Sequence, residues 1–600
     1  MNEEQLHAMR HTAAHVLAAA VKRLYPEAKF GVGPVIENGF FYDIALPEPI
    51  SKERLPKLEK IMRRIIQEGH AMAKEEMPIT EAVKLFASED QPYKVELLND
   101  LKERGTTKMN ADELQDIDPE NADIATVYRT GEFMDLCRGP HVETVKEIGA
   151  FKLTKVSGSY WRGDQDRNEQ MQRIYGVAFA TKEELDAHLL MLEEAAKRDH
   201  RKLGKELDLF AFSDLVGPGL PLFTPRGTIM REQLTSFVWE LMKPYGYQRV
   251  QIPHMAKSDL YKTSGHWDKF EDDIFHISSK KTEQAFVMKP MNCPHHTQIF
   301  ASRMRSYRDL PLRYSEVTAV YRDENTGQLQ GLSRVRAITQ DDAHVFCRLD
   351  QVKEEALAIY DIITKFYAAF DMPLTIRLSK HDENEPEKYL GGAEVWDRSV
   401  GTLRDLLTEL GKEFEEVAGE AAFYGPKIDF IAKDAIGREW QLATIQLDFN
   451  LPERFELEYV NAEGERERPV MVHRAILGSV ERFMAVLIEH YAGAFPIWLA
   501  PEQIRLATVS DEFAEFTHDL AKQLKAAGVR VEVDDSNEKV GKKIRMAAMQ
   551  KVPWTIVIGE QEANGGDFNA NVFGRDEDEH IPAAQIVEHA VEAGKMPLGE

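Results

Sequence analysis

The feature that most constrains the fold is a pair of strand-like segments in the middle of the chain. LPLRYSEVTAVYRDE (310–324) and RVRAITQDDAHVF (334–346) are separated by the turn-rich run NTGQLQGLS. This pattern predicts an antiparallel hairpin with a long loop. In the second strand Gln340, Asp342 and His344 share one face, because side chains alternate with a period of two. The nearby Cys347 lies an odd number of positions from His344, so we expect it to face the other side and pack as a small buried hydrophobe.

Helical and strand patterns before this hairpin predict a mixed α+β region followed by a connector. HAMRHTAAHVLAAAVKRL (7–24) and the segment 51–69 have helical patterns, and GVGPVIENGFFYDI (31–44) predicts strand and turn, with Asn38-Gly39 at the turn. The segment 181–210 is highly charged and begins with the capping-box pattern Thr181-x-x-Glu184. It predicts a helical connector between domains.

The last 100 residues alternate between strand and helix patterns. RLATVS, VRVEVD and WTIVIG predict strands, and helices are expected near 511–527 and 538–550. This alternation predicts a small α/β domain with a largely parallel sheet. A chain of 600 residues is too long for one hydrophobic core. The predicted divisions are a first domain at 1–180, a linker helix at 181–206, a central domain at 207–499 and a last domain at 500–600.

Composition and charge narrow the class of protein. The apolar fraction of 43% and charged fraction of 29% are ordinary for a globular protein, and no run approaches the roughly 18 apolar residues of a membrane span. The acidic start MNEEQ is unlike a signal peptide, and three cysteines argue against a disulfide framework. We therefore expect a cytoplasmic protein with no membrane partner. The net charge of −26 lowers the expectation of a nucleic-acid partner, although 197–205 and 539–551 are local basic patches.

Histidines and a cysteine near the N-terminus suggest a first site. His11 and His15 are four residues apart on the predicted helix and share a face, and CRGPH places Cys137 four residues before His141. Three histidines and one cysteine are suited to a tetrahedral zinc site. They are equally suited to positioning water and a reactive carbonyl without metal. HTAAH lacks the glutamate that HExxH supplies as general base, which disfavours a zinc protease.

A second candidate site lies in the central region. Cys293, in MNCPHH, together with His344 and His473, in MVHRAILGSVERF, would give three zinc ligands with a fourth position open. Because the three residues lie on separate segments, their spacing alone does not define a zinc site. The alternative for His344 is a histidine packed in the core. Arg322 and Glu324 share a strand face in YRDE, and Arg482 opens a helix. Arginines spread over several segments suit a polyphosphate, whose oxygens a planar guanidinium binds in pairs.

The ordered motifs along the chain identify a family. They are HTAAH with CRGPH, SGSYWRGD, MNCPHH, YRDENTGQLQGLSRVRAITQDDAHVF, AFYGPKIDF and HRAILGSVERF. In this set the chain resembles the threonyl-tRNA synthetases, which are class II aminoacyl-tRNA synthetases, over essentially its whole length. The resemblance implies a multidomain α+β and α/β protein with an antiparallel-sheet catalytic core at 207–499. It also implies an N-terminal α+β editing domain, a C-terminal α/β anticodon-binding domain and a homodimer formed through 227–253.

The resemblance also implies roles for residues of the core. Arg322 is expected to bind the α-phosphate of ATP, Glu324 the adenine, and Arg334 and Arg482 the γ-phosphate, with Mg²⁺ bridging the phosphates. One Zn²⁺ per subunit, held by Cys293, His344 and His473, is expected to bind the amino and hydroxyl groups of threonine and so to reject valine. Asp342 is expected to hold the amino group of threonine. The remaining residues expected around the amino acid or the adenylate are Gln340, Tyr424, Lys427, Gln441 and Thr444.

Serine carries the hydroxyl that zinc recognises, so the family removes it by hydrolysis in the N-terminal domain. The residues that match its editing positions, where a metal-free reaction is expected, are His11, His15, Tyr42, Lys94, Asp135, Cys137 and His141. Asn537 in DSNEKVGKKIR matches the anticodon-binding domain, and Glu562 is expected to take part in anticodon binding. The expected partners are therefore tRNA(Thr), ATP and L-threonine.

Two departures from the family pattern bear on this prediction. The small ubiquitin-like domain that usually precedes the editing domain is expected to be absent, since Met1 is ten residues before His11. The last domain has NANVFGRDEDEH where the family carries a basic strand, so Asn571 stands where an arginine is expected, with Arg575 nearby. Two other functions remain as alternatives, a non-catalytic regulator that senses threonine or binds RNA, and a zinc hydrolase built on HTAAH.

Overall fold

The computed structural model describes residues 1–104, 123–163, 170–281 and 283–599. Asp164, the last residue of the SGSYWRGD motif, lies outside the described residues. The chain divides into two compact units, Met1–Glu193 and Glu194–Glu600. In the described part of the chain, no helix is both long and apolar enough to cross a membrane.

The first unit is an α+β unit with two antiparallel sheets. One sheet has the order β1-β3-β8-β7, with β2 paired to β3, and the other has the order β4-β5-β6. The elements are α1 (Glu3–Leu24), β1 (Lys29–Phe30), β2 (Val35–Ile36), β3 (Gly39–Ala45), α2 (Leu55–Glu68), β4 (Ala73–Pro78), α3 (Ile79–Ser88), α4 (Pro92–Arg104), β5 (Ile124–Thr130), β6 (Phe133–Leu136), β7 (Ala150–Tyr160), β8 (Gln170–Phe179) and α5 (Lys182–Arg198), which extends past Glu193.

The first helix forms where the sequence predicted one and begins four residues earlier. The Asn2 side chain accepts a hydrogen bond from the Gln5 amide, and the Gln5 side chain accepts one from the Asn2 amide, so the first turn is capped from both sides. The small residues from Ala13 to Ala20 are buried against the sheet. The predicted turn at Asn38 is confirmed, with Asn38 in the left-handed conformation at φ 59°.

The second unit begins with the connector and contains the large sheet of the central domain. The prediction of a single helix over 181–210 is wrong, because α5 ends at Arg198 and α6 (His200–Glu206) begins after Asp199. The Asp199 carboxylate accepts a hydrogen bond from the Arg201 amide and so starts a new helix. The capping box predicted at Thr181 and Glu184 is confirmed, with both reciprocal hydrogen bonds present.

An eight-stranded sheet with the order β11-β15-β16-β23-β20-β19-β17-β18 forms the centre of this unit. The elements from the connector to residue 490 are β9 (Phe210–Ala211), β10 (Leu222–Phe223), α7 (Pro225–Met242), β11 (Gln248–Arg249), β12 (Met255–Lys257), α8 (Ser258–Ser264), α9 (His266–Phe270), β13 (His276–Ile277), β14 (Phe286–Met288), α10 (Cys293–Ala301), β15 (Leu312–Tyr321), β16 (Ala337–Cys347), α11 (Val352–Ala368), β17 (Leu374–Lys380), α12 (Ala393–Glu409), β18 (Phe414–Ala418), β19 (Lys427–Lys433), β20 (Glu439–Asp448), α13 (Asn450–Arg454), β21 (Tyr459–Val460), β22 (Arg466–Glu467), β23 (Val470–Ala475) and α14 (Val480–His490).

The register of the large sheet places the chemistry-bearing residues on one face. The predicted hairpin is confirmed as the antiparallel pair β15 and β16. On its other side β16 pairs with β23, where His344 lies directly opposite His473. Opposite residues of an antiparallel pair point to the same face, so two distant histidines meet. Cys347 is fully buried in the apolar core, as predicted.

The last part of the second unit carries a five-stranded sheet with the order β25-β24-β26-β27-β28. Its elements are β24 (Ile504–Thr508), α15 (Ala514–Ala526), β25 (Val531–Asp534), α16 (Val540–Met549), β26 (Trp554–Ile558), α17 (Glu560–Ala563), β27 (Phe568–Val572), β28 (Glu579–Ile581) and α18 (Ile586–Ala593). The prediction of a largely parallel sheet is correct for β25, β24 and β26 and wrong for β27 and β28, which pair antiparallel. The short connections that follow β26 and β27 leave no room for a crossover helix packed on the sheet.

Candidate functional site

A cavity of about 580 Å³ opens on the face of the large sheet that carries His344 and His473. Its lining includes twelve of the residues that the sequence singled out: Cys293, Arg322, Glu324, Arg334, Gln340, Asp342, His344, Tyr424, Gln441, Thr444, His473 and Arg482. Lys427 is not among the described lining residues, and its ammonium group lies 3.0 Å from the Asp429 carboxylate. The structure therefore brings together residues from five segments of the chain and leaves Lys427 beside them.

Three buried side chains at the base of this cavity are arranged as a metal-binding group. One ligand atom each from Cys293, His344 and His473 lies within 4.8 Å of the others. Cys293 is the first residue of α10, where the helix N-terminus favours a thiolate. Burial and the carboxylates of Asp342 and Asp448 nevertheless raise the pKa of the Cys293 thiol, so a thiolate at this position requires a nearby cation.

Each histidine of this group is oriented by a neighbour that the sequence did not single out. Nε2 of His473 lies 2.8 Å from the Asp448 carboxylate, and Nδ1 of His344 lies 2.7 Å from Nδ1 of His296. These contacts leave Nδ1 of His473 and Nε2 of His344 for a metal. Burial lowers the pKa of His344 well below its usual value, which keeps the ring neutral, as a ligand must be. The residues present therefore fit a zinc ion.

Two arginines give the other end of the cavity a strong positive charge. Arg482 lies in the first turn of α14, which Ser479 caps by accepting a hydrogen bond from the Arg482 amide. Among the described residues, neither Arg322 nor Arg482 has a hydrogen-bond or ion-pair partner for its guanidinium group. Burial lowers the pKa of both, which is the electrostatic cost of holding an unpaired cation. A polyanion beside a helix N-terminus would offset that cost.

Two further polar residues contact the site, a third is buried nearby, and all three were missed by sequence reasoning. His266 is fully buried, and its Nε2 lies 3.7 Å from Sγ of Cys293. Asn292 donates a hydrogen bond of 3.0 Å to the Asp342 carboxylate and so fixes its orientation. Lys289 is buried and donates to the Thr318 hydroxyl, and burial lowers its pKa to about 8. Asn292 and His296 lie on either side of Cys293 in MNCPHH. This motif was therefore the sequence signal that could have pointed to Asn292.

A second histidine and cysteine group lies in the first unit. Sγ of Cys137 is 3.2 Å from Nε2 of His11 and 3.2 Å from Nε2 of His141. His15 completes the group, with one ligand atom from each of the four residues lying within 4.8 Å of the others. Burial, with a further contribution from neighbouring charged groups, lowers the pKa of all three histidines, that of His141 to about 2. Burial also raises the pKa of Cys137 to about 12, so the thiol is protonated at neutral pH.

The hydrogen-bond partners define which nitrogen accepts in two of these histidines, His11 and His141. The Thr12 hydroxyl donates to the Ala8 carbonyl and therefore accepts from Nδ1 of His141. Nδ1 of His11 lies 3.2 Å from the Pro140 carbonyl, which can only accept. The remaining nitrogen, Nε2, of both rings is therefore an acceptor directed at Cys137. The arrangement provides neutral bases around a thiol.

A buried ion pair lies next to this group and contacts His15. The Lys94 ammonium pairs with the Asp135 carboxylate, which also accepts a hydrogen bond from the Tyr42 hydroxyl. Nε2 of His15 lies 3.5 Å from the same carboxylate. All seven predicted editing residues thus lie in one continuous network. Buried ion pairs of this kind depend on additional hydrogen bonds to offset desolvation, and the Tyr42 hydroxyl supplies one.

The predicted anticodon residues lie on the last sheet and its loops. Asn537 is exposed before α16, and the Glu562 carboxylate accepts a hydrogen bond from the Gly559 amide at the start of α17. Asn571 on β27 donates to the Asp578 carboxylate, at 3.0 Å. The turn from 575 to 579 is acidic, with Arg575 as its single cation. The edge formed by β27 and β28 is therefore not a basic surface.

Three family models match separate parts of the chain. The tRNA synthetase class II core domain (G, H, P, S and T) matches residues 275–491. The anticodon binding domain matches 503–592, and the threonyl and alanyl tRNA synthetase second additional domain matches 125–175. These matches confirm the predicted fold class, an antiparallel class II core with an additional N-terminal domain and a C-terminal anticodon-binding domain.

Relatives over nearly the full length decide the family. Threonine–tRNA ligase of Gloeobacter violaceus is 47% identical, over 94% of this chain and 88% of its own. The chain belongs to the threonine–tRNA ligase family. Threonine–tRNA ligase 2 of Bacillus subtilis is 46% identical, over 97% of this chain and 87% of its own. The RNA binding domain of threonyl-tRNA synthetase from Cryptosporidium parvum has a similar structure, with a TM-score of 0.63 and 35% identity over 66% of this chain and 98% of that one.

Membership of the threonine–tRNA ligase family establishes the overall reaction. The chain charges transfer RNA with threonine, so its substrates are threonine, ATP and transfer RNA, and Mg²⁺ is the expected partner of ATP in a class II core. The ligase prediction is confirmed against the two alternatives, a regulator and a zinc hydrolase. The additional domain associates this chain with editing.

Proposed function

We propose that the central cavity forms threonyl-adenylate and selects threonine through one Zn²⁺ held by Cys293, His344 and His473. The observation that carries the proposal is the presence of three oriented metal ligands in the same cavity as two unpartnered arginines. When bound, zinc supplies coordination positions for the amino and hydroxyl groups of threonine. A site that requires the hydroxyl rejects valine far better than a pocket that judges shape, which separates near-isosteres by only about a hundredfold.

Other side chains of the cavity bind threonine, ATP and the adenylate. Asp342, held by Asn292, accepts from the amino group of threonine, and Gln340, Gln441, Thr444 and Tyr424 enclose the amino acid and adenylate. Arg322 binds the α-phosphate, Glu324 the adenine, and Arg334 and Arg482 the γ-phosphate. The threonine carboxylate attacks the α-phosphorus and pyrophosphate leaves, so catalysis consists of positioning and charge stabilisation. Lys427 is proposed to act in the same step from the margin of the cavity.

The test is amino-acid-dependent ATP–pyrophosphate exchange by protein whose zinc content is measured on the same sample. We expect exchange with threonine and serine and little with valine, and one zinc per chain. Removal of zinc by a chelator should abolish the preference for threonine over valine, and added zinc should restore it. Zinc-loaded protein that shows no threonine-dependent exchange, or equal exchange with valine, would contradict the proposal.

We further propose that the first unit hydrolyses serine from mischarged tRNA(Thr) without a metal. The neutral rings of His11 and His141 supply acceptor nitrogens beside the Cys137 thiol that can position and activate water, and His15 is a third neutral ring next to them. Cys137 is a protonated thiol at neutral pH and binds substrate instead of attacking it. Faster hydrolysis of Ser-tRNA(Thr) than of Thr-tRNA(Thr) is the expected result, and equal rates would contradict it.

For transfer RNA, we propose that Asn537 and Glu562 contact the anticodon. Asn537 is exposed in the turn before a basic helix, α16, which supports a role in RNA binding. Alanine at position 537 should raise the KM for tRNA(Thr) in charging while leaving pyrophosphate exchange unchanged. An unchanged KM for tRNA(Thr) would remove Asn537 from the interface.

We also propose that the chain is a homodimer formed around 227–253. The edge strand β11 and an exposed apolar segment support this, with Leu215 fully exposed, Phe212 44% exposed and Leu222 43% exposed. Leu215→Glu should shift the mass measured by light scattering to that of a monomer. Leu598→Glu, at another exposed leucine, is the matched control and should leave the dimer intact. A monomer before substitution would contradict the proposal.

A further inference from the structure

A buried histidine outside the cavity connects two of its walls. His200, the first residue of α6, is 4% exposed. Its Nε2 accepts a hydrogen bond of 3.0 Å from the amide of Leu332, and its Nδ1 lies 2.6 Å from the Glu489 carboxylate. The amide of His200 also donates to this carboxylate, at 3.1 Å. The ring therefore links the loop after β15 to the end of α14.

These contacts fix the protonation of the ring. An amide can only donate, so Nε2 must carry the lone pair, and the proton of a neutral ring is on Nδ1 and points at Glu489. Burial raises the pKa of Glu489, but the hydrogen bonds from His200 and the charge of Arg438 lower it more, so the carboxylate stays ionised. Arg438 pairs with the other carboxylate oxygen at 2.6 Å. The Glu489 end of the link is firmly held.

Both partners of His200 belong to segments that carry proposed ATP ligands. Leu332 lies in the loop between β15 and β16, two residues before Arg334, and this loop also contains Arg322 and Glu324. Glu489 lies in the last turn of α14, the helix that begins beside Arg482.

The loop is shaped to receive the histidine ring. Gly331, next to Leu332, has φ +52°, and a Cβ atom there would lie 2.2 Å from Nε2 of His200. The ring therefore occupies the space of a side chain at position 331. Further along, Arg334 donates to the Glu324 carboxylate at 2.8 Å, so displacement of the backbone at 331–332 would move two proposed ATP ligands together.

We propose that His200 is a positioning residue for ATP: it holds the loop 322–336 in register with α14 without contacting the nucleotide. The proposal rests on the assignment of Arg322, Glu324, Arg334 and Arg482 to ATP made above. His200 acts on the binding of ATP through the backbone of Leu332, and on no other substrate.

Two conservative variants separate the two contacts of the ring. The amide of asparagine can take the place of Nδ1 and donate to Glu489, but it is too short to reach Leu332. The longer glutamine places its carbonyl oxygen near Nε2 and can accept from Leu332. His200→Asn should raise the KM for ATP in pyrophosphate exchange about tenfold, the factor expected when one buried amide loses its acceptor. The KM for threonine and kcat should change by less than about twofold.

His200→Gln should recover most of the ATP affinity. Equal losses in the two variants, or a loss confined to kcat, would overturn the proposal. Amide hydrogen exchange gives a readout that does not depend on activity. In folded His200→Asn, exchange should rise in peptides covering 325–333 and remain unchanged in peptides covering 480–487. Unchanged exchange in the loop would also overturn the proposal.

Arg334→Ala separates this inference from the assignment on which it rests. If Arg334→Ala leaves the KM for ATP unchanged, the assignment of the loop to ATP fails. In that case a rise in loop exchange in His200→Asn would show only that the ring holds the loop, and the role of His200 in ATP binding would be overturned. A normal loop exchange in His200→Asn together with a raised KM in Arg334→Ala would refute the role of His200 alone.

Discussion

The two histidine and cysteine groups of this chain use similar residues in different surroundings. In the central cavity Cys293, His344 and His473 are all buried, and carboxylates of Asp342 and Asp448 lie around them. In the first unit, Cys137 and His141 are half-buried, and the nearest carboxylate, Asp135, is already paired with Lys94.

The difference indicates what each group can hold. The central group has an excess of nearby negative charge and a thiol that needs a cation to ionise, which favours a bound metal. The N-terminal group has its charges balanced without any ion, and its histidines are neutral in its absence. We therefore expect a metal in the central group and a water-activating site in the N-terminal group. Four experiments test this contrast, beginning with the largest expected effect.

The paired variants Cys293→Ala and Cys137→Ala should have opposite effects. Cys293→Ala should lose its zinc and reduce threonine-dependent pyrophosphate exchange by more than about a hundredfold, the upper range for groups that only support a metal ligand. Cys137→Ala should keep one zinc per chain and normal exchange, and lose hydrolysis of Ser-tRNA(Thr). A second zinc that disappears in Cys137→Ala would show that both groups bind metal.

One substitution can remove the ion pair between Lys94 and Asp135 that lies next to the N-terminal group. Lys94→Met leaves the Asp135 carboxylate buried without a cation, and breaking such a pair costs about 3 to 5 kcal/mol. Thermal unfolding followed by exchange in first-unit peptides should show this loss. The double variant Lys94→Met with Asp135→Asn should recover much of the stability. A Lys94→Met variant as stable as the parent would mean that the pair does not support the fold.

A smaller effect is expected from the residues that orient the metal ligands. Asp448→Asn retains a polar contact to Nε2 of His473 but removes the charge, and should weaken zinc binding about tenfold to a hundredfold. Competition with a chelator measures this directly. Asp341→Asn is unsuitable as a control because Asp341 pairs with Arg474 in the core. Asp268→Asn, at an acidic residue outside the ligand group, is suitable and should leave the affinity unchanged.

The smallest expected effect is that of pH on editing. Because the pKa values of His11, His15 and His141 are lowered, these rings stay neutral as the pH falls through the usual histidine range. Hydrolysis of Ser-tRNA(Thr), corrected for the uncatalysed rate, should therefore be nearly constant from pH 8 to pH 6. A base with an ordinary pKa near 6.5 would lose about fourfold over this range. Such a fall would contradict the neutral, metal-free arrangement.

The parts of the site that follow from local periodicity could be predicted from the sequence, and those that follow from packing could not. The strand period placed Gln340, Asp342 and His344 on one face, because that depends only on the alternation of β16. The contact of Asp448 with His473 depends on the register between β20 and β23 and on side-chain orientation. His296 lies in the same motif as Cys293, MNCPHH, and only the structure places it against a proposed ligand, His344.

The same limit applies to the fold. The break at Asp199 was missed because the charged pattern on either side continues the helical period, and a single capping aspartate ends it. The antiparallel edge formed by β27 and β28 was missed because alternating strands and helices predict parallel pairing until the helices become too short. Lys427 was placed in the cavity by resemblance alone, and the motif does not show whether its ammonium group points into the cavity or pairs with Asp429, two residues along the same strand.

The acidic turn beside β27 bears on how the affinity for tRNA depends on salt concentration. Proteins that hold nucleic acid through many phosphate contacts release counterions, and their affinity falls steeply as salt is added. A chain with a net charge of −26 and aspartates at 576 and 578 beside Asn571 offers few such contacts at this edge. The contribution of this edge to the binding of tRNA(Thr) should therefore change little between low and physiological salt, and any affinity it adds should come from recognition of bases and shape.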